Sequence, residues 1–389
     1  MRVLYITNYG TMYGANHSLL NLMIDMRSRY NIEPFVLMPY GGDIEEVLKK
    51  NSIQYKVLKH YIWQYEVKKK SPVFTPFSHA KEKVLNQFLF ERCYKAIKNQ
   101  KIDIIHTNTS IEYLGAYLAK KMNVPHVWHC REYGKLDYNT AFMYSKKYVS
   151  AQFESAAAVI AISNSIAEYY RNNIFLGENI HVIYNGVDNT FSIDHFSSSD
   201  GIINFCCVGV LRETKNQLEI LKAVKVLKNI SNIPFVVHFL GSGHEQYIKE
   251  MEKYISSYGL EKYVKMWGYR KDVQKILKKM QVGIVPSLNE AFGRVTVEFM
   301  MEKMPVIGAN TGGTVELISN NIDGYLYQVG DYEDLARYME KYLQNPNLII
   351  EHGQNGYEKA SVEFKKQKNT DMIKKLYDFV LKGGKGNDV

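Results

Sequence analysis

The 389-residue chain has only four cysteines and nine prolines, and no apolar run approaches the roughly twenty residues a membrane-spanning helix needs. The best candidate, Ala156 to Ile162, is far too short. Cys93, Cys130, Cys206 and Cys207 lack metal-type spacing, and the adjacent pair lies in an apolar run, so all four read as reduced core residues. Also missing are a G-x-x-x-x-G-K-[ST] loop, an H-E-x-x-H helix, a G-x-S-x-G elbow and a D-x-D pair that could hold a metal beside a diphosphate. A reaction with no metal and no cofactor is the resulting expectation. Val3-Leu4-Tyr5-Ile6 reads as a strand, because its apolar region is too short for a signal peptide and no small-residue cleavage site follows. A cytoplasmic location is expected.

What is present is a globular composition, 46% hydrophobic and 23% charged, on a chain long enough for two domains of Rossmann size. The net charge of +9 is unevenly placed: Glu46 to Lys101 holds 13 basic and 4 acidic residues, which is the entire excess. From Lys59 to Lys101 the punctuation of strands and helices fails. There Tyr61, Trp63, Tyr65, Phe74, Phe77, Phe88, Leu89 and Phe90 are mixed with Lys68-Lys69-Lys70, Lys81, Lys83, Arg92, Lys95 and Lys98. Rings interleaved with cations suggest docking to an anionic membrane surface, against the plainer reading of a solvated basic face over an aromatic core. No nucleic-acid motif accompanies the charge.

Elsewhere apolar β-branched runs alternate with helical spacing. Arg2 to Thr7, Pro34 to Met38, Gln54 to Leu58, Asp103 to Asn108, Pro125 to Glu132 and Ala157 to Ile162 read as strands, with helices over Asp43 to Lys50 and Ser110 to Lys121. The richest stretch lies later. Val282-Gly283-Ile284-Val285 is a buried strand closed by Pro286-Ser287, and after Gly293 the spacing of Val295, Glu298, Phe299 and Met300 turns helical. Glu290 falls in the turn and Glu298 on the helix. A helix opening there aims unpaired N–H groups and its positive dipole end at a strand's carboxyl end, where a phosphate binds. Pro305 to Gly308 and Thr311-Gly312-Gly313-Thr314 repeat the pattern, with a second glycine turn before a second helix.

Pro286-Ser287, the Glu290-to-Glu298 segment, Pro305-Val306-Ile307-Gly308 and Gly312-Gly313-x-x-Glu316 resemble the signature of retaining glycosyltransferases of family four. The resemblance implies an α/β, GT-B fold: two Rossmann-like domains with parallel sheets facing across a central cleft. It implies a metal-independent hexosyltransferase that moves a sugar from a nucleotide diphosphate, uridine-linked, to a glycan or lipid-linked glycan. Carried over by position, Glu290 meets the donor sugar, Glu298 the ribose hydroxyls, and Lys215 the diphosphate. Val210 stands where relatives have arginine, with Arg212 two residues on as a substitute. Gly14 ends the loop facing the donor phosphate, where Asn16 and His17 read as helix-capping residues. Gly268 and Tyr269, after Trp267, match the nucleobase pocket. Phe292, Gly293, Arg294 and Gly313 complete the donor set. His129 ends a strand where the family's histidine contacts the donor sugar, so Glu290, His129 and Lys215 are the catalytic candidates. Arg131 and Glu132 are candidates for acceptor binding.

Asn185-Gly186-Val187-Asp188 resembles the family's turn into an interdomain linker, and Ser197 to Gly201 is composed like one. The expected division is an acceptor domain over 1–190, a donor domain over 191–365, and a C-terminal helical segment over 366–389 returning to the first domain, with the final helix itself read from roughly Ser361 to Leu381. A nucleotide-sugar epimerase on the same fold, or a non-catalytic protein binding glycan or lipid surfaces, are the alternatives.

Overall fold

The apolar runs form parallel strands buried on both faces, as strands covered by helices on each side must be. A computed structural model describes residues 1–12, 14–67, 75–187 and 201–384. Lys68-Lys69-Lys70, Phe74 and nearly all of the linker tract lie outside the described residues. The chain divides into two units, Met1–Gly186 with Lys366–Val389, and Val187–Lys365.

The first unit begins with β1 (Arg2–Ile6), α1 (Gly14–Tyr30), β2 (Glu33–Met38), α2 (Ile44–Lys50) and β3 (Gln54–Val57). It continues with β4 (Gln64–Glu66), α3 (Thr75–Ile97), β5 (Ile104–Thr107), α4 (Leu114–Met122) and β6 (His126–Cys130). Then come α5 (Lys135–Tyr138), β7 (Thr140–Phe142), α6 (Lys146–Glu154), β8 (Ala158–Ala161), α7 (Asn164–Asn173) and β9 (Ile180–Val182). Seven strands form one parallel sheet in the order β3-β2-β1-β5-β6-β8-β9, while β4 and β7 pair antiparallel beside it. In register, Leu4 of β1 faces Phe35 and Ile105.

The second unit holds β10 (Ile203–Val208), a 3-10 turn at Glu213–Lys215, α8 (Gln217–Ile230), β11 (Phe235–Leu240), α9 (Glu245–Ser257) and β12 (Val264–Met266). It goes on through α10 (Val273–Leu277), β13 (Val282–Val285), α11 (Arg294–Met301), β14 (Val306–Ala309) and α12 (Thr314–Leu317). It ends with β15 (Gly324–Tyr327), α13 (Tyr332–Gln344) and α14 (Asn347–Glu363), before α15 (Lys366–Leu381) returns to the first unit and packs on α1. Its parallel sheet runs β12-β11-β10-β13-β14-β15.

Three departures from the sequence reading have physical causes. The unpunctuated segment contains the 23-residue helix α3, hidden because its cations are interleaved with rings rather than confined to one face. Two of those rings are core: Trp63 is fully buried, stacked 5.0 Å from Tyr113 and 5.4 Å from Trp128, and Phe90 is buried as well. Helix α4 starts at Leu114 rather than Ser110, because buried Glu112 accepts from the N–H groups of Tyr113 and Leu114 at 2.8 Å each. The continuous helix expected from Ser361 is two helices. The chain turns at Phe364 to bury that ring against Phe292, and Val187 N–H donates to its carbonyl.

Candidate active site

In the second unit the carboxyl ends of β10 and β13 border a cavity of about 110 Å³, lined by Cys207, Lys215, Ser287, Glu290, Gly293 and Arg294 among others. The Lys215 ammonium donates to Glu290 Oε2 at 2.6 Å. Burial pushes the Glu290 carboxyl up, but Lys215, Ser287 and Arg212 outweigh it and hold it below the usual range. Arg212 therefore bears on the same carboxylate as Lys215, although Val210 leaves the usual arginine position apolar and half-exposed.

Two glycine turns are locked together beneath this pair. Gly293 precedes α11 at φ 99°, a conformation that glycine adopts without strain. A Cβ on Gly312, at φ 55°, would stand 2.4 Å from the Glu290 carbonyl oxygen, and one on Gly313 would stand 2.8 Å from Phe292 Cα. The Gly313 N–H donates to that Glu290 carbonyl at 2.6 Å. Gly313, expected in the donor set, thus has its own N–H engaged in holding the Glu290 turn, and the second helix is the single turn α12. Phe292 is buried under the turn. Arg294 donates to Glu298 at 2.7 Å across one turn of α11, a half-exposed pair. On the loop after β12, Gly268 adopts φ 65° and Tyr269 is 70% exposed, whereas Trp267 is fixed by its N–H bond to His238 Nδ1 at 3.0 Å.

In the first unit the candidates lie deeper. Gly14 opens α1 with nothing near a would-be Cβ. Asn16 braces the preceding loop, accepting from Thr7 at 2.6 Å and donating to the carbonyls of Tyr9 and Thr11. His129 is fully buried; its Nδ1 lies 3.1 Å from His106 Nε2 and 3.3 Å from Arg131 Nη2. Arg131 also donates to Asn108 and Asn185, at 2.6 Å each. Glu132 accepts from both the N–H and hydroxyl of Ser110 at 2.6 Å. Arg131 and Glu132 are thus engaged inside the unit that they were expected to open to an acceptor. His106, Asn108 and Asn185 were missed as partners, although His106-Thr107-Asn108 at a strand's carboxyl end carried a signal.

Residues 193–359 match the family model for glycosyl transferases group 1, and residues 32–191 that for glycosyltransferase family 4. An uncharacterised glycosyltransferase of Methanocaldococcus jannaschii is 25% identical over 361 residues, 89% of this chain and 97% of its own length. The Escherichia coli UDP-Gal:alpha-D-GlcNAc-diphosphoundecaprenol alpha-1,3-galactosyltransferase is 28% identical over 302 residues, 73% of this chain and 77% of that protein. Among solved structures, Anabaena Alr3699/HepE in complex with UDP and glucose aligns with a TM-score of 0.78 at 21% identity, covering 97% of this chain and 99% of that one.

Proposed function

Because the chain belongs to glycosyltransferase family four and has the GT-B fold, we propose that it is a retaining, metal-independent hexosyltransferase using a uridine diphosphate sugar. The acceptor is a hydroxyl of a glycan or lipid-linked glycan in polysaccharide biosynthesis. The observation that carries this reading is the Lys215–Glu290 pair at the cavity beside α11. A diphosphate entering there meets Lys215, Arg212 and the N–H groups that open α11, fixed charges that stabilise the leaving group without reorganising. Glu290 stays ionised and accepts from a hydroxyl of the transferred sugar. As the sugar C1–O bond to phosphate breaks and the bond to the acceptor oxygen forms on the same face, the acceptor's proton passes to the departing phosphate oxygen.

The reading extends to a membrane surface, where a lipid-linked acceptor is met. Lys81, Val84, Phe88, Arg92 and Lys95 of α3 recur at helical spacing, and all five are exposed, Phe88 by 72%. A ring projecting among cations suits an anionic leaflet.

Calorimetry with uridine diphosphate and turnover of uridine-linked sugars test the proposal. The full chain should bind the nucleotide, Lys215→Ala should bind it about tenfold more weakly, the scale of a lost charged hydrogen bond, and excess chelator should leave turnover intact. Absence of nucleotide binding by the unaltered chain sinks the donor assignment; activity lost to chelator and restored by magnesium replaces Lys215 with a cation.

A further inference from the structure

His129 Nε2 is buried with no hydrogen-bond partner among the described residues. A buried polar atom left unpaired is costly, so its state matters. Which ring nitrogen carries the proton follows from Arg131. A guanidinium can only donate, so the Arg131 Nη2 contact at 3.3 Å requires His129 Nδ1 to be the acceptor. His106 Nε2, 3.1 Å from that same Nδ1, must then also donate. Burial, followed by the Arg131 charge, drives both rings well below the usual histidine range, so each is neutral and holds a single proton. His106 Nδ1 is therefore an acceptor, and the Tyr377 hydroxyl, 2.7 Å away, donates to it. The Tyr5 hydroxyl, 3.4 Å from that of Tyr377, is a longer second acceptor for the same proton. From Arg131 to Tyr377, each bond's direction is dictated by the one before it.

We propose that His106 and Tyr377 are positioning residues that, with Arg131, hold His129 in the tautomer whose Nε2–H is reserved as a donor to an oxygen of the sugar substrate. The proposal rests on the transferase reading above for the identity of that acceptor oxygen; the tautomer stands apart from it. Tyr377 lies on α15, so the line ties the end of the chain to the end of β6 over a separation of 271 residues from His106. A neutral histidine held as a donor can stabilise a sugar hydroxyl without adding a charge beside a cationic oxocarbenium carbon.

The test is nitrogen-15 NMR of the histidine-labelled full chain without ligand, with His129 assigned from the His129→Asn spectrum. The expected pattern is a protonated Nε2 and an unprotonated Nδ1 on His129. A proton on Nδ1 overturns the proposal whether or not the chain turns over any sugar, and absence of turnover counts against the transferase reading without touching the tautomer. For function, His106→Leu leaves only the 3.3 Å Arg131 contact on His129 Nδ1, so the ring should loosen and kcat fall about tenfold while uridine diphosphate affinity is unchanged, a loss on the scale of one buried hydrogen bond. His106→Gln, whose amide N–H can still donate, should restore most of that loss, and Tyr377→Phe should fall between. Equal kcat in the leucine and glutamine variants refutes the positioning role.

Discussion

The two units place their polar side chains in opposite settings. In the second, Lys215, Glu290, Arg294 and Glu298 stand on turns and on one short helix as partly accessible ion pairs, held by backbone approaches that glycine permits. In the first, His106, His129, Arg131 and Glu132 are buried, and, His129 Nε2 apart, their partners come from residues distant in sequence. An accessible pair can exchange its partner for a ligand at modest cost, since partly exposed pairs contribute little to stability. A buried network cannot do so, because each group removed strands another. The second unit is thus suited to capturing and releasing a charged donor, and the first to holding fixed groups in place.

The comparison is sharpened most by the two glutamates of the second unit. Glu290→Gln should lower kcat by about 1–3 kcal/mol of transition-state stabilisation, because its proposed ligand is the sugar that changes charge. Nucleotide affinity should hold or rise, since Lys215 is released from its carboxylate. Glu298→Gln should instead raise the donor KM and weaken uridine diphosphate, with kcat largely spared, because the ribose it is proposed to hold is the same in the ground and transition states. Titrations and steady-state kinetics on both variants decide it, and the reverse pattern exchanges the two roles.

A smaller effect is expected from the first unit's surface. Replacing Lys81, Arg92 and Lys95 with glutamine should weaken co-sedimentation with anionic vesicles, each cation contributing about 1 kcal/mol near such a surface. The loss should vanish at high salt, where screening shortens the reach of charge. Unchanged co-sedimentation would make α3 a solvated face over the aromatic core that holds Trp63 and Phe90.

Legibility followed the same division. Strand β13, its turn, α11 and the Gly312-Gly313 turn were readable because each is local: period, proline and glycine sit within some thirty residues. Lys215 could be placed by position, but its pairing with Glu290 could not, since it joins residues 75 apart. The line from Tyr377 to His129 leaves no periodic trace, because single polar residues in separate elements converge only when the sheet order β1-β5-β6 and the return of α15 are known. The break at Phe364 was hidden for the same reason. No proline or glycine marks it, and the cause is a ring burying itself against Phe292, far away in sequence.

The smallest expected effect concerns Glu132, and it tests whether burial in the first unit carries an electrostatic cost. Burial pushes its carboxyl up to about 7, with Asp137 adding to the rise and Ser110 and Arg131 opposing it. A carboxyl whose folded pKa lies above its unfolded value binds its proton more tightly when folded, so stability is greatest below the unfolded value near 4.5 and declines as pH rises through about 7. Glu132→Gln keeps an oxygen to accept from the Ser110 N–H and hydroxyl and removes the charge. The substitution should therefore be close to neutral at pH 5 and raise the melting temperature of the full chain by a few degrees, roughly the size of a 1 kcal/mol change, at pH 8. Thermal melts of both proteins at the two pH values measure it. If the variant is less stable at pH 8 than at pH 5, relative to the unaltered chain, the ionised carboxylate is compensated and the buried network carries no such cost.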